Sequence, residues 1–316
     1  MSDRPGEPTG IQFHLRRGPV AAHIAQLGAS LRHLTVGGID IVPPYPLGMP
    51  APSCAGVVLV PWPNRVRDGL WLHDGEPQRL AITEPTRNNA IHGLLRYTPY
   101  DVAMRTKSSL ELTATVFPQL GYRFQLDTSV RFVLTADGIE ITHELVNVGR
   151  DAAPVALGVH PFVTIGDVDP DDLVLTVSAT EHFPVDDRML PGDPEPVAGT
   201  PHDLRGGRRL AELELDDAWG AVVRDADGRA RHTVSAPDGR RVVLWAGPDF
   251  DYVQAFTTGS YPGQRRALAI EPMTAPADAF NSGLGLRWLE PGESWTVDWG
   301  IALETRHGAT FPSTSG

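Results

Sequence analysis

Cysteine is almost absent. Cys54 is the only one in 316 residues, so no intramolecular disulfide can form and a cysteine-rich zinc site is ruled out. Its neighbours Ser53, Ala55 and Gly56 bring no charge that would activate a thiolate, and the expected role is a small buried apolar side chain. Basic residues are short as well: 27 Lys and Arg face 39 Asp and Glu, a net charge of −12. That balance argues against a general nucleic-acid or anionic-membrane binder, because phosphate surfaces select basic ones. Long apolar runs are missing. The longest lies near Ala55–Trp62, far below the roughly 20 residues of a membrane span. The opening MSDRPGEPTG has no apolar stretch of a secretory leader, so the expected setting is the cytoplasm, with no nucleic-acid or membrane partner. Familiar motifs are lacking too: no P-loop, no GxGxxG after a strand, no GxSxG elbow and no HExxH. The 11 histidines form no H-x-H or H-x3-H pair, so no metal site is expected.

What is abundant is punctuation. The chain holds 32 glycines and 29 prolines, a density that few long helices survive, and no stretch reads as a helix of three turns. Alternating segments are common instead. Ser109–Val116 has period two, and Phe124–Val133 and Ile139–Val146 flank Ala136-Asp137-Gly138 as a hairpin. Further strands are expected at Leu173–Val177, Ala221–Arg224, His232–Ser235 and Arg241–Trp245. Asp-Gly pairs at 68–69, 74–75, 137–138, 227–228 and 238–239 suit the positive φ angles of tight turns. The expected fold is all-β, one large antiparallel domain over residues 10–307 with tails at 1–9 and 308–316. Pro184–Gly207 reads as a long surface loop.

Four polar segments stand in unusual local settings. In Leu59–Arg67, prolines at 61 and 63 stiffen the approach to Asn64 and Arg65, which can offer a hydrogen-bonding fork to a polar ligand. In Asn88–Arg96, His92 precedes Gly93, which lets a ligand or another backbone come close. His160 lies between apolar neighbours and before Pro161, with a pKa range that suits general acid or base work. Glu271 ends the apolar run Ala267–Ile270, where burial raises a carboxyl pKa. Asp278 and Asn281 are expected to bind turn backbone, as Asx residues do.

In chain order these segments resemble the aldose 1-epimerase (mutarotase) family. The resemblance rests on Asn64-Arg65, His92-Gly93, His160-Pro-Phe162 and Glu271–Asn281, with weaker support from Asp216-Asp-Ala-Trp219 and Val253–Gly259. It covers about residues 10–305. Departures are visible: Leu94 stands where a second glycine is usual, Val163-Thr164 follow Phe162, and Pro272-Met273 follow Glu271. The chain therefore resembles a divergent bacterial subgroup. The family implies a galactose mutarotase-like β-sandwich and a cofactor-free isomerase that exchanges the α and β anomers of a free sugar. By that resemblance Glu271 is the base and His160 the acid. His92 and Arg65 would polarise the sugar near its ring oxygen, and Asn64, Asp216 and Gln254 would hold hydroxyls. Trp219, close to Asp216 in sequence, is added as a stacking residue.

Three rival readings share these residues. A glycoside hydrolase would use Asp216 and Glu271 as its carboxyl pair. A sugar-binding module would bind without catalysis. A hexose 6-phosphate epimerase would need a cationic clamp, for which Arg67 and Arg96 are candidates, although both read as surface residues. The choice among neutral, sulfonated and other acidic aldoses stays open, as does the oligomeric state.

Overall fold

The computed structural model describes residues 6–305. Strands alternate with tight turns along the whole of it, and the one α-helix, Ala279–Ser282, is a single turn. No helix among the described residues is long and apolar enough to cross a membrane.

Two large antiparallel sheets dominate. A nine-stranded sheet runs in the order Asp101–Arg105, Ser109–Val116, Leu126–Leu134, Gly138–Asn147, Ser294–Glu304, Arg241–Ala246, Ala230–Ser235, Val174–Thr176 and Arg208–Arg209. The expected hairpin is present: Leu126 pairs with Asn147 and Leu134 with Ile139, closing around the turn at Asp137. Its two strands alternate buried and wetter residues along their length, because one face meets the core and the other meets solvent. Phe132, Ile139, Ile141 and Leu145 sit on the inner face. Each such side chain contributes roughly 1.5–3 kcal/mol by leaving water.

The second sheet has eight strands. Its path is Glu195–Pro196, Ala179–Phe183, Asp216–Val222, Tyr252–Thr258, Ala267–Met273, Gly158–Val159 and Val58–Leu59, and Phe162–Val163 also pairs with Ala267–Met273. A four-stranded meander, Gln12–Arg17 to Ile39–Val42, packs on the first sheet. One cluster of buried apolar side chains runs from Phe13 to Leu303 and draws on all three sheets.

Several sequence expectations are refined here. The expected tail 1–9 is already packed at Thr9, which is 1% exposed and accepts a hydrogen bond from the Leu27 amide at its carbonyl. The expected tail 308–316 lies outside the described residues. Pro184–Gly207 is more than a loop: Glu195–Pro196 adds an edge strand, and Leu190, Val197 and Leu204 are buried. Asp278 and Asn281 bind not the backbone of the turn that follows them, as expected, but that of Arg67 and Leu70, on either side of the Asp68-Gly69 turn and distant in sequence. The Asp278 carboxylate accepts from the Arg67 amide at 2.9 Å and from Asn281 Nδ2 at 2.7 Å, and Asn281 Nδ2 also donates to the Leu70 carbonyl.

Candidate active site

The strand Ala267–Met273 is buried at every position. Leu268 and Ile270 join the main core, so Ala269, Glu271 and Met273 face the other way. Its partner Tyr252–Thr258 sets Gln254 directly beside Glu271 and Phe256 beside Ala269. One strand further, Asp216 pairs with Phe256. Period two therefore collects Asp216, Gln254, Phe256 and Glu271 on one face of three strands.

On the opposite edge of that strand the ladder is broken. Gly158 pairs with Met273, and Phe162 pairs with Ala269. The same register places His160 opposite Glu271, next to Pro161, which has no amide hydrogen to complete the ladder. His160 Nε2 lies 3.3 Å from Glu271 Oε1, and both side chains are almost fully buried.

A second pair closes the rim. Asn64 and His92 both have positive φ, 54° and 63°, conformations that residues other than glycine hold only when their surroundings demand it. The His92 amide donates to the Asn64 carbonyl at 2.8 Å, and the Asn64 amide donates to His92 Nδ1 at 3.2 Å. Nδ1 is thereby the acceptor, so a neutral His92 carries its hydrogen on Nε2. Gly93 is required beside it: a Cβ there would stand 2.2 Å from the Val60 carbonyl oxygen. Another backbone, then, is what this glycine admits.

Arg65 is held as a fork. Its Nε and Nη2 donate to the two oxygens of Glu84 at 2.9 and 3.0 Å, and Nη1 donates to Asn64 Oδ1 at 3.2 Å. From Asn64 the chain of bonds continues through Gln254 to Asp216: Asn64 Nδ2 to Gln254 Oε1 at 3.2 Å, then Gln254 Nε2 to Asp216 Oδ1 at 2.7 Å. These residues form one wall of a cavity of about 200 Å³ that also meets Cys54, His92, Arg96, His160 and Glu271. That is smaller than the roughly 300–1,000 Å³ of drug-sized sites.

Burial splits the protonation of the central pair. The Glu271 carboxyl is pushed well above the usual carboxylate range, by burial first and by the Asp216 charge second, with Arg65 opposing. His160 is pulled down to about 4 by burial, its own backbone opposing. His92 falls well below its ordinary value, from burial and then from His160, Arg96 and Arg65. Burial thus works against the charged form of both Glu271 and His160, and His92 is held as a neutral donor. Two groups whose pKa values are driven apart across one cavity are the arrangement that acid–base chemistry needs.

Of the residues singled out in the sequence, Asn64, Arg65, His92, His160, Asp216, Gln254 and Glu271 meet in this cavity. Trp219 does not. It is three positions from Asp216 on one strand and so faces the opposite side, 1% exposed in the core, where Nε1 donates to the His202 carbonyl. Arg96 was read as a surface residue and is instead buried in the cavity wall, because the turn after His92-Gly93 folds it inward. Arg67 does sit at the surface, paired with Asp278. Cys54 is half-buried and lines the cavity rather than the core, and burial keeps its thiol pKa raised. Glu84, which orients Arg65, carried no signal in the sequence.

One group among the described residues has metal-ligand composition: His182, His202 and Asp217. It stands on the face of Asp216–Val222 turned away from the cavity, beside Trp219. Elsewhere, a groove of about 790 Å³ crosses the outer surface of the nine-stranded sheet. Glu111, Asp127 and Glu144 line it, with no histidine or arginine.

The family model described as aldose 1-epimerase matches residues 12–301. The chain is 31% identical to YihR, an uncharacterised protein of Escherichia coli K12, over 287 residues, 90% of this chain and 91% of that one. Among solved structures it is similar to a GalM/aldose epimerase homologue from C. elegans, with a TM-score of 0.80, 17% identity, and coverage of 93% of this chain and 99% of the other. It is also similar to a galactose 1-epimerase from Lactobacillus acidophilus, with a TM-score of 0.76, 18% identity, and coverage of 93% and 94%. The architecture is that of the galactose mutarotase-like β-sandwich.

Proposed function

The chain belongs to the aldose 1-epimerase family, and from that premise we propose that it exchanges the α and β anomers of a free aldose. The observation that carries this reading is the Glu271–His160 pair, 3.3 Å apart and buried, with the carboxyl pKa displaced upward and the imidazole pKa downward.

In the mechanism the pair carries one proton, which passes from Glu271 to His160 across their 3.3 Å contact as the sugar binds; Glu271 as carboxylate then takes the proton of the anomeric hydroxyl while His160 as imidazolium gives one to the ring oxygen. A C=O bond forms at C1 and the bond from C1 to the ring oxygen breaks. The open aldehyde turns about C1–C2, and the same two groups, now with their protons exchanged, close the ring on the other face. The pair begins and ends with one proton. Glu271, with its raised pKa, is a stronger base toward a sugar hydroxyl than an ordinary carboxylate is. His92, a neutral Nε2–H donor, orients the ring oxygen but has no proton to spare as an acid. Arg65, locked by Glu84, is a fixed positive charge beside the site. Asp216, Asn64 and Gln254 form the hydrogen-bonding wall for sugar hydroxyls.

The partner of Glu271 is a histidine rather than a second carboxylate. Asp216 is engaged by Gln254. Both facts favour anomer exchange over glycoside hydrolysis, which relies on two carboxyl groups across the bond to be cut. The test is NMR saturation transfer between anomers of a panel of free aldoses, with wild type and Glu271→Gln. Exchange above the buffer rate that disappears in the variant is expected. Wild-type protein that binds sugar and leaves the buffer rate unchanged would overturn the reading.

The one-proton pair also sets the pH profile. Below about pH 4 His160 gains a proton while Glu271 keeps its own, and the base is lost. At alkaline pH the last proton leaves Glu271, and the acid is lost. A bell-shaped kcat/KM is expected, with its acid limb near 4.

A further inference from the structure

His182, His202 and Asp217 stand apart from the catalytic cavity. His182 lies on the strand Ala179–Phe183 and Asp217 on Asp216–Val222, while His202 comes from the far end of the Pro184–Gly207 excursion. Their spacing in sequence is too wide to read as a motif. Only the fold brings one ligand atom of each within 4.8 Å of the others. His182 Nε2 lies 2.8 Å from Asp217 Oδ1, and His202 Nδ1 lies 3.7 Å from the same oxygen. The two imidazoles are stacked, with centroids 3.6 Å apart and planes 11° from parallel. Ligand atoms around a tetrahedral zinc ion stand about 3.3 Å from one another, and the two separations bracket that value.

The surroundings hold these groups in place. The His202 carbonyl accepts from Trp219 Nε1 at 2.9 Å, and Trp219 is packed in the core. The buried His182 ring meets the Trp219 ring edge-on at 5.7 Å. A hydrogen bond between His182 and Asp217 accounts for two of the three groups. It does not account for His202, whose Nδ1 is turned to the same carboxylate oxygen from beyond hydrogen-bond distance. One metal ion takes up both imidazole nitrogens and that oxygen together. Glu195 is directly opposite His182 in the edge pair and so shares its face, which leaves a fourth position to its exposed carboxylate or to water. The cation that acts on His202, Arg208, is engaged elsewhere: it donates to the Pro201 carbonyl and faces Glu212.

We propose that His182, His202 and Asp217 form a site for a divalent transition metal of the zinc class, which clips the Pro184–Gly207 excursion to the second sheet. Two imidazoles with one carboxylate select Zn²⁺ or Co²⁺ over Mg²⁺ and Ca²⁺, which take oxygen shells. The role is structural. Asp216 and Asp217 are consecutive on one strand and point to opposite faces, so the ion sits away from Glu271 and His160. His182 and His202 bracket most of the excursion, and one ion on both closes it. The early part of the excursion is tied beside the candidate active site, where Asn89 Nδ2 donates both to the Arg188 carbonyl and to Glu84. The metal fastens the other end.

The experiment uses the full chain, stripped with EDTA and dialysed, and none of its readouts depends on anomer exchange. Titration calorimetry with zinc chloride is expected to show one equivalent of Zn²⁺ bound with a Kd of about 10 µM or tighter, and with Mg²⁺ or Ca²⁺ at least about 100-fold weaker binding. Zn²⁺ should raise the melting temperature, because it binds the folded chain in preference to the unfolded one. It should also slow tryptic cleavage after Arg205, which lies inside the excursion. In His202→Ala and in Asp217→Asn, Zn²⁺ affinity should fall at least about 10-fold, and the melting shift should vanish. His160→Asn should keep the tight equivalent, which separates this site from the histidines of the cavity. Wild type without that equivalent, or an equivalent that survives unchanged in folded His202→Ala or is lost in folded His160→Asn, overturns the assignment. Zinc binding that leaves both melting and cleavage unchanged overturns the clip. The wild-type titration decides even if the variants misfold.

Discussion

The strands Gly138–Asn147 and Ala267–Met273 are both central members of antiparallel sheets, yet they treat polar residues in opposite ways. In the first, Glu140, Thr142 and Glu144 alternate with Ile139, Ile141, His143 and Leu145, and the carboxylates face water. They cost little there and stand outside the candidate site. In the second strand both faces are covered, and Glu271 is 2% exposed with no cation in contact. A carboxyl group in that position takes free energy from the fold. The comparison teaches that a polar residue is informative in proportion to what its burial costs.

The sharpest way to break the comparison is Glu271→Gln. Loss of the proton carrier should reduce anomer exchange by about 10²–10⁴-fold, read by saturation transfer, and His160→Asn should match it. Stability should move the other way. The folded Glu271 keeps its proton to a higher pH than it does in the unfolded chain, so its contribution to stability falls as pH rises above the unfolded value. Glu271→Gln should therefore melt at or above the wild-type temperature at neutral pH, with the difference closing as pH drops toward 4. Lower stability at pH 7 would mean that the carboxyl is not buried at a cost.

On the hairpin the roles reverse. Ile141→Ala empties a fully buried site and should cost about 2–5 kcal/mol in urea unfolding, while exchange per folded molecule stays at the wild-type level. Between these extremes lies Asp216→Asn. The Asp216 charge helps to raise the Glu271 pKa, so its removal should shift the alkaline limb of kcat/KM to lower pH. An alkaline limb that stays in place would show that burial alone sets the value. Trp219→Phe loses the bond to the His202 carbonyl and should cost about 1 kcal/mol of stability with sugar affinity unchanged; a raised KM would return Trp219 to the cavity. The smallest effect is expected at Thr142→Ala on the wet face, within about 0.5 kcal/mol.

The hairpin was legible in the sequence because period two, a turn signal and solvent on one face all act within a few neighbouring residues. Glu271 and His160 were legible because each breaks an apolar run. What was not legible depends on long-range register. Asp216 and Trp219 are near neighbours in sequence but face opposite sides of their strand, and the start of that strand decides which one meets the cavity. Glu84 orients Arg65 only through the pairing of Arg65–Arg67 with Asn89–Ile91, which brings Glu84 alongside. Arg96 reads as a surface residue because arginines usually are, and only the fold of the turn after Gly93 turns it inward.

The gap in the ladder between Gly158 and Phe162 also fixes what this segment can become. It holds three residues on the chain side facing Ala269–Met273, and His160 reaches Glu271 only while that count is kept. A deletion or insertion of one residue here would slip the register and turn the imidazole to the other face of the sheet. Chain length in this short stretch is thus as strict a determinant of the candidate site as the identity of the histidine itself. This short stretch is a ruler.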